Sequence, residues 1–187
     1  MALKATVFKV DLQIADMDRN YYQTHALTVA RHASETDERM MVRLLAFAMY
    51  ASAALTFGKG IAADDEPTLW EKDLTGTIQR WIEVGQPDER EIRKASGRAR
   101  QVVILTYGRS AAPWWEQNRD KLQRIDNLTV LRLSMVTTQA LAALANRNMQ
   151  LQCSIQERSM WVTAEAGAVQ VEPEVLMGAL GDILPAT

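Results

Sequence analysis

The chain holds a single cysteine, Cys153, among 187 residues. No intrachain disulfide can form and no cysteine-based zinc site can be assembled. Its two histidines, His25 and His32, lack a His-x-x-x-His pattern, so they offer no metal-ligand spacing. There is no nucleophile elbow, and Cys153 lies in an apparent strand, far in sequence from either histidine, so covalent catalysis lacks its parts. Neither Gly-x-Gly-x-x-Gly nor a P-loop occurs, which leaves a nucleotide cofactor without support. No Pro/Gly-rich linker, internal repeat or low-complexity segment divides the chain. The longest apolar stretch, Leu44 to Phe57, is too short and too interrupted to span a bilayer. The opening residues carry Lys4, Lys9 and Asp11 and lack an apolar h-region, unlike a signal peptide. Charge of one sign is also lacking. With 21 basic and 23 acidic residues the formal charge is −2, which argues against a uniformly basic nucleic-acid coat and leaves room for a local patch.

What is present is the material of a core. At 48% hydrophobic and 24% charged residues, this length suits one folded domain spanning 1–187. The expectation is a cytoplasmic protein without a membrane segment. Leu3–Ile14 and Tyr21–Arg31 alternate in polarity around a polar turn, which predicts a β-hairpin. Ser34-Glu35-Thr36-Asp37 reads as a capped helix start, with Ser34 as N-cap, followed by apolar residues at helical spacing from Met40 to Met49. Strands are predicted at Leu55–Lys59, Leu69–Asp73 and Thr77–Val84, and Ile61–Pro67 reads as an acidic loop. Pro87-Asp88-Glu89 opens a second helix with proline in its first turn. Gln101–Tyr107 contains the continuous run Val102-Val103-Ile104-Leu105 of a buried strand. Beyond it come a helix at Ala111–Gln123, a strand at Leu128–Leu133, a helix at Thr137–Asn146 and short strands from Met149 to Val171. The tail after Pro173 is weakly specified. The fold class is α/β: a mixed central sheet with flanking helices.

The stretch from Asp73 to Lys94 carries the chemistry. Asp73 sits near a predicted strand end and Glu83 on the next strand, so two carboxylates could converge on one divalent cation. A lysine from the following helix could then supply positive charge or a general acid. Two carboxylates and a lysine around a metal suit phosphodiester hydrolysis, in which the cation activates water and offsets charge building on phosphate. Mg²⁺ fits hard oxygen ligands and few protein ligands. Glu35 could add an auxiliary carboxylate. Arg90, Lys94 and Arg98 form a basic stripe at four-residue spacing that would meet nucleic acid only by lining the same cleft.

The order α-β-β-β-α-β, with an Asp and then a Glu ten positions on, resembles the PD-(D/E)XK nuclease-like fold. More closely, the chain resembles the YaeQ family of bacterial proteins. The residues that carry the likeness are Met1-Ala2-Leu3-Lys4-Ala5-Thr6, Ala30-Arg31-His32, Ser34-Glu35-Thr36 and Glu38-Arg39-Met40-Met41. They continue through Ala63-Asp64-Asp65-Glu66-Pro67, Trp70, Trp81-Ile82-Glu83, Gly85, Pro87-Asp88-Glu89, Lys94-Ala95 and Trp114-Trp115. The resemblance implies a restriction-endonuclease-like core over about 34–107. It also implies Asp73 and Glu83 as metal ligands, with Lys94 in the catalytic role of the lysine. Two departures stand out: Gly85 occupies the position where the nuclease pattern has lysine, with Gln86 the nearest polar residue, and Lys72 rather than proline precedes Asp73. These departures bear on catalysis rather than on the fold.

Two functions therefore compete. One is Mg²⁺-dependent action on nucleic-acid phosphodiesters. The other is a module that keeps the nuclease scaffold and binds nucleic acid or a protein partner. Taken alone, Asp73 and Glu83 read as solvated acids, Glu35 as a first-turn acid paired with Arg39, and Trp114-Trp115 as helix-packing residues rather than a base-stacking platform. A weaker third reading is a protein interaction through the terminal strands.

Overall fold

The computed structural model describes residues 5–59 and 65–178. Strands β1 (Thr6–Asp16) and β2 (Tyr21–Arg31) form the expected hairpin in register from Thr6–Arg31 to Asp16–Tyr21. Alternation sends Phe8, Val10, Leu12 and Ile14 of β1 to the core and leaves Lys9, Asp11 and Gln13 outside. The buried Asp16 closes the turn by accepting from the Arg19 backbone N–H at 3.0 Å and its Nε at 2.6 Å. Arg19 in turn donates to the Ala51 carbonyl, 3.0 Å away, at the end of the first helix.

That helix, α1 (Asp37–Tyr50), is capped by Thr36, whose side chain accepts from the Arg39 N–H. The expected cap, Ser34, instead donates or accepts at the His32 ring, 2.7 Å away. The helix therefore begins two residues later than the sequence pattern suggests, and Glu35 lies before it. Every residue from Met40 to Tyr50 is buried. Burial all round occurs because α1 lies in a core shared by two sheets rather than on one face of a single central sheet.

The first sheet has the order β10-β9-β8-β1-β2. It joins the hairpin to β8 (Asn148–Gln156), β9 (Ser159–Ala164) and β10 (Gly167–Val171), with β1 parallel to β8. The second sheet has the order β11-β7-β6-β5-β4-β3. Its members are β3 (Leu55–Phe57), β4 (Leu69–Lys72), β5 (Ile78–Val84), β6 (Ala99–Thr106), β7 (Leu128–Arg132) and β11 (Glu174–Met177). Strands β3, β4 and β5 form an antiparallel meander, whereas β5, β6 and β7 run parallel. The connection from β5 to β6 runs through α2 (Glu89–Arg98), and that from β6 to β7 through α3 (Ala111–Leu122). Helix α4 (Met135–Ala143) completes the set. The predicted succession α-β-β-β-α-β is thus present, but within one of two mixed sheets. The weakly specified tail contributes a strand, β11, antiparallel to β7.

Helix α2 is capped by Asp88, so Pro87 precedes the helix rather than standing in its first turn. Asp88 accepts from the Glu91 N–H at 2.9 Å and Glu91 returns the bond to the Asp88 N–H at 3.0 Å, a reciprocal capping box. Its buried Ile92 and Ala95 pack with Trp81, Val102, Ile104, Leu122 and Val130 in a second, smaller core on the opposite face of that sheet.

Candidate phosphate-binding cleft

At the carboxyl ends of the parallel strands β5 and β6 a cleft opens, the place where open α/β sheets bind ligands. It has a volume of about 290 Å³. One wall is apolar, from Trp81, Ile92, Ala95 and Ile104; the polar lining includes Arg39, Arg43, Thr68, Glu83, Gln86 and Lys94.

Glu83 is the carboxylate of this cleft. The Thr68 hydroxyl donates to its Oε2 at 2.9 Å and the Trp81 indole N–H to its Oε1 at 3.1 Å. Burial pushes its carboxyl above the ordinary range, a tendency these two bonds and the nearby Arg39 charge oppose. The register explains why Thr68 is its neighbour: Leu69 pairs with Ile82, so position 68 stands opposite position 83.

Asp73 is elsewhere. It sits in the β4–β5 turn opposite Thr77, six residues and roughly 20 Å along β5 from Glu83. Its Oδ1 accepts from Thr75 N–H (2.9 Å), Thr75 hydroxyl (2.6 Å) and Thr77 N–H (3.0 Å), and its Oδ2 from Gln79 at 2.6 Å. These bonds, that from the Thr75 hydroxyl foremost, hold its carboxyl below the usual range. Asp73 is a turn-organising residue, and the Asp73–Glu83 pair expected to hold Mg²⁺ does not form. Among the described residues no group of three or more His, Cys, Asp or Glu side chains is placed to hold a metal ion. The side chain facing Glu83 across the strands is a hydroxyl, so the residues present do not fit the expected ion.

Gly85 explains the missing strand lysine. Its φ of +116° lies where L side chains are strained, so a lysine at this position would disfavour the backbone path. Gln86 then turns back: its Nε2 donates to Thr106 Oγ1 (2.8 Å) and the Tyr107 carbonyl (2.7 Å), and its Oε1 accepts from Ser110 at 3.1 Å. Gln86 ties the ends of β5 and β6 together while lining the cleft.

Lys94 does reach the cleft from α2, but its ammonium is ion-paired with Asp65, part of the acidic loop. That pairing, through the hydrogen bond first, holds the Asp65 carboxyl below its usual range. Arg98 lies 3.9 Å from the same carboxylate and 5.5 Å over the Trp81 ring. Arg90 is exposed and is not among the lining residues. The basic stripe therefore divides, with Lys94 at the cleft, Arg98 beside it and Arg90 apart. Asp64 lies outside the described residues.

Glu35 is neither a first-turn acid nor free for a metal. It is buried, and accepts from Arg39 Nη1 and Arg43 Nη2, each at 2.8 Å. Arg43 also donates to the Ala30 carbonyl at 3.1 Å. Two guanidinium groups share one carboxylate, and burial lowers the pKa of Arg43 while Glu35 raises it. Sequence reading gave Arg39 only as the partner of Glu35, a pairing that is present, and missed Arg43 and Thr68. The four-residue spacing of Glu35, Arg39 and Arg43 was the available signal for the two arginines.

The remaining candidates serve structure. His25 Nε2 lies 2.8 Å from the Tyr21 hydroxyl, and its ring meets Phe47 edge-on at 5.0 Å. Burial pushes the Cys153 thiol up to about 12. Trp114 donates to the Pro87 carbonyl at 2.9 Å, and both Trp114 and Trp115 pack on the smaller core. No described helix is long and apolar enough to cross a membrane.

The fold and cleft define an α/β protein built on two mixed sheets. The family model described as YaeQ protein matches residues 1–173, and the chain belongs to the YaeQ family. It is similar to YaeQ of Escherichia coli (strain K12), described as uncharacterised, with 44% identity over 172 residues, 91% of this chain and 95% of that protein. Its counterpart in Salmonella typhi is 42% identical over 173 residues, 92% of this chain and 96% of that one. Among solved structures, YaeQ from Xanthomonas axonopodis pv. citri matches with a TM-score of 0.90 at 46% identity, covering 94% of this chain and all of that one. YaeQ from Pseudomonas syringae gives 0.89 at 35% identity, covering 94% of this chain and 97% of that one.

Proposed function

We propose that the chain carries a PD-(D/E)XK nuclease-like core, α1 through β6, and uses its cleft to bind nucleic-acid phosphodiesters rather than to cleave them through a two-carboxylate Mg²⁺ site. One observation carries this reading: the guanidinium of Arg39 and the ammonium of Lys94 line a cleft at the carboxyl ends of β5 and β6, where Glu83 faces a threonine. Cations in such a cleft attract phosphate, and the fork of an arginine suits its oxygens. The strand order and the α-β-β-β-α-β succession support the nuclease-like core. A protein partner is the lesser alternative, since among the described residues β2 stands at a sheet edge and offers backbone donors and acceptors.

The test combines binding and cleavage. Fluorescence anisotropy with DNA and RNA should show affinity falling linearly on a log–log scale with salt, and Lys94→Ala should flatten that slope by about one unit. Incubation of the same substrates with Mg²⁺ or Mn²⁺ should give no cleavage beyond that of Glu83→Ala. Metal-dependent cleavage lost in Glu83→Ala would replace the binding reading with a catalytic one, and absence of nucleic-acid binding would remove it.

A further inference from the structure

Resting on that reading, we infer that the cleft takes one unpaired nucleotide of a single strand, its phosphate on Arg39, and excludes the intact duplex. Size argues first. At about 290 Å³ the cleft lies at the small end of ligand sites, which run from about 300 to 1,000 Å³. A duplex, whose major groove alone is about 12 Å wide, could only ride over its mouth.

The placement of charge argues next. A protein that grips a duplex presents cations across a broad outer surface, each neutralising a phosphate. Here the rim cation Lys94 is engaged by Asp65, with Arg98 close to the same carboxylate. The cations set deeper are Arg39 and Arg43, whose side chains are 24% and 7% exposed. They share the carboxylate of Glu35, and Glu66, Glu83 and Glu91 line the same cleft, so a phosphate would meet Arg39 through its fork rather than through a net positive field. Arg39 is the more accessible of the two. It commits Nη1 to Glu35, and a guanidinium carries five N–H donors in a fork that matches phosphate oxygens.

The walls complete the argument. An unpaired nucleotide has an apolar face, hydrogen-bonding edges and a charged phosphate. The lining offers Trp81, Ile92, Ala95 and Ile104 as apolar surface, and Thr68, Gln86, Glu66, Glu83 and Glu91 as polar groups beside Arg39. A paired base would turn neither its edge nor its face to these groups, whereas an unpaired one can present both.

Anisotropy titrations would compare one labelled oligonucleotide as a single strand and annealed into a blunt duplex, with adenosine monophosphate as competitor. The single strand should bind at least about tenfold tighter than the duplex, a difference of about 1.4 kcal/mol, and the monophosphate should displace it at higher concentration. Arg39→Gln should lose about tenfold in single-strand affinity. Arg39→Lys, which keeps the charge and loses the fork, should fall between the two, with circular-dichroism melts confirming that both variants fold. Equal affinity for duplex and single strand would overturn the inference while leaving nucleic-acid binding intact. A monophosphate binding as tightly as the strand would overturn the assignment to a strand. No binding of either oligonucleotide would instead overturn the underlying reading, and the inference with it.

Discussion

At Glu83 two local requirements oppose each other. Burial favours the protonated carboxyl, yet the Thr68 hydroxyl and Trp81 N–H both aim donors at it. Because the folded-state pKa is raised, the native protein holds this proton at pH values where the unfolded chain has released it. Stability from this group is present below the ordinary carboxylate pKa and is lost as pH rises through the folded value. Glu83→Gln removes that loss, and its amide can still accept from Trp81 and donate to Thr68. Its melting temperature should exceed that of the wild type at pH 8 by more than at pH 4, and an equal offset at both would mean that Glu83 does not titrate as described. Glu35 makes the converse case. Its loss in Glu35→Ala leaves Arg43 buried without its carboxylate, which should cost about 3 kcal/mol in urea unfolding. A cost below about 1 kcal/mol would show that Arg43 reaches water instead. These residues differ in how legible they were. Glu83 and Gln86 lie at the end of β5 and Lys94 stands four residues from both Arg90 and Arg98 on α2, which made them legible in the chain. Arg39 was legible only as a partner for Glu35, and nothing local marks Arg43 as buried. Asp73 was misplaced because spacing in sequence does not set register. The turn at Thr75 puts Asp73 opposite Thr77, and a one-residue register shift between Glu71 and Lys72 then brings Thr68 to Glu83.

Among the elements, β11 is the instructive one. Its sequence, Glu174-Val175-Leu176-Met177, is too short for alternation to stand out, and the structure reveals it only because β7 has an open edge to fill. Val175 packs against the large core, Leu176 and Met177 against the small one, and Arg132 reaches Glu174 at 2.5 Å. Gly178 then passes so close to Thr129 that an added Cβ would lie 2.7 Å from its Oγ1. Ending the chain at Pro173 uncovers the edge of β7, and an apolar, unpaired edge recruits other chains. The shortened protein should sediment with concentration-dependent association and melt at a lower temperature than the full chain. If it stays monomeric and equally stable, β11 is an accessory rather than the cover of that edge.

For the molecule as a whole, α1 decides cooperativity. A helix buried from Met40 to Tyr50 lies in a core that both sheets share, so neither can lose it and remain packed. Leu45→Ala, deep in that shared core, should destabilise by about 3 kcal/mol, and tryptophan fluorescence and far-ultraviolet circular dichroism should still report one coincident transition. Separate transitions would mean that the sheets unfold independently. The chain announced most of its elements through period and punctuation, and it announced their α-β-β-β-α-β order. It could not announce that they divide between two sheets. That division depends on the pairing of Lys9 with Asn148 and of Asp16 with Ile155, contacts between segments distant in the chain, which no local pattern encodes.

The same parallel pairing sets a timetable for synthesis. The hairpin is finished when Arg31 is made, but the inner edge of β1 has no partner until β8 ends at Gln156, roughly 125 residues later. At the pace of translation, about 5–20 residues each second, that is a wait of about 6–25 s. During that interval β1 has an open flank, and Phe8, Val10, Leu12 and Ile14 are covered only as α1 and the second sheet are made. The nascent chain therefore carries an unpaired strand edge at β1, open to other chains, until β8 has been made.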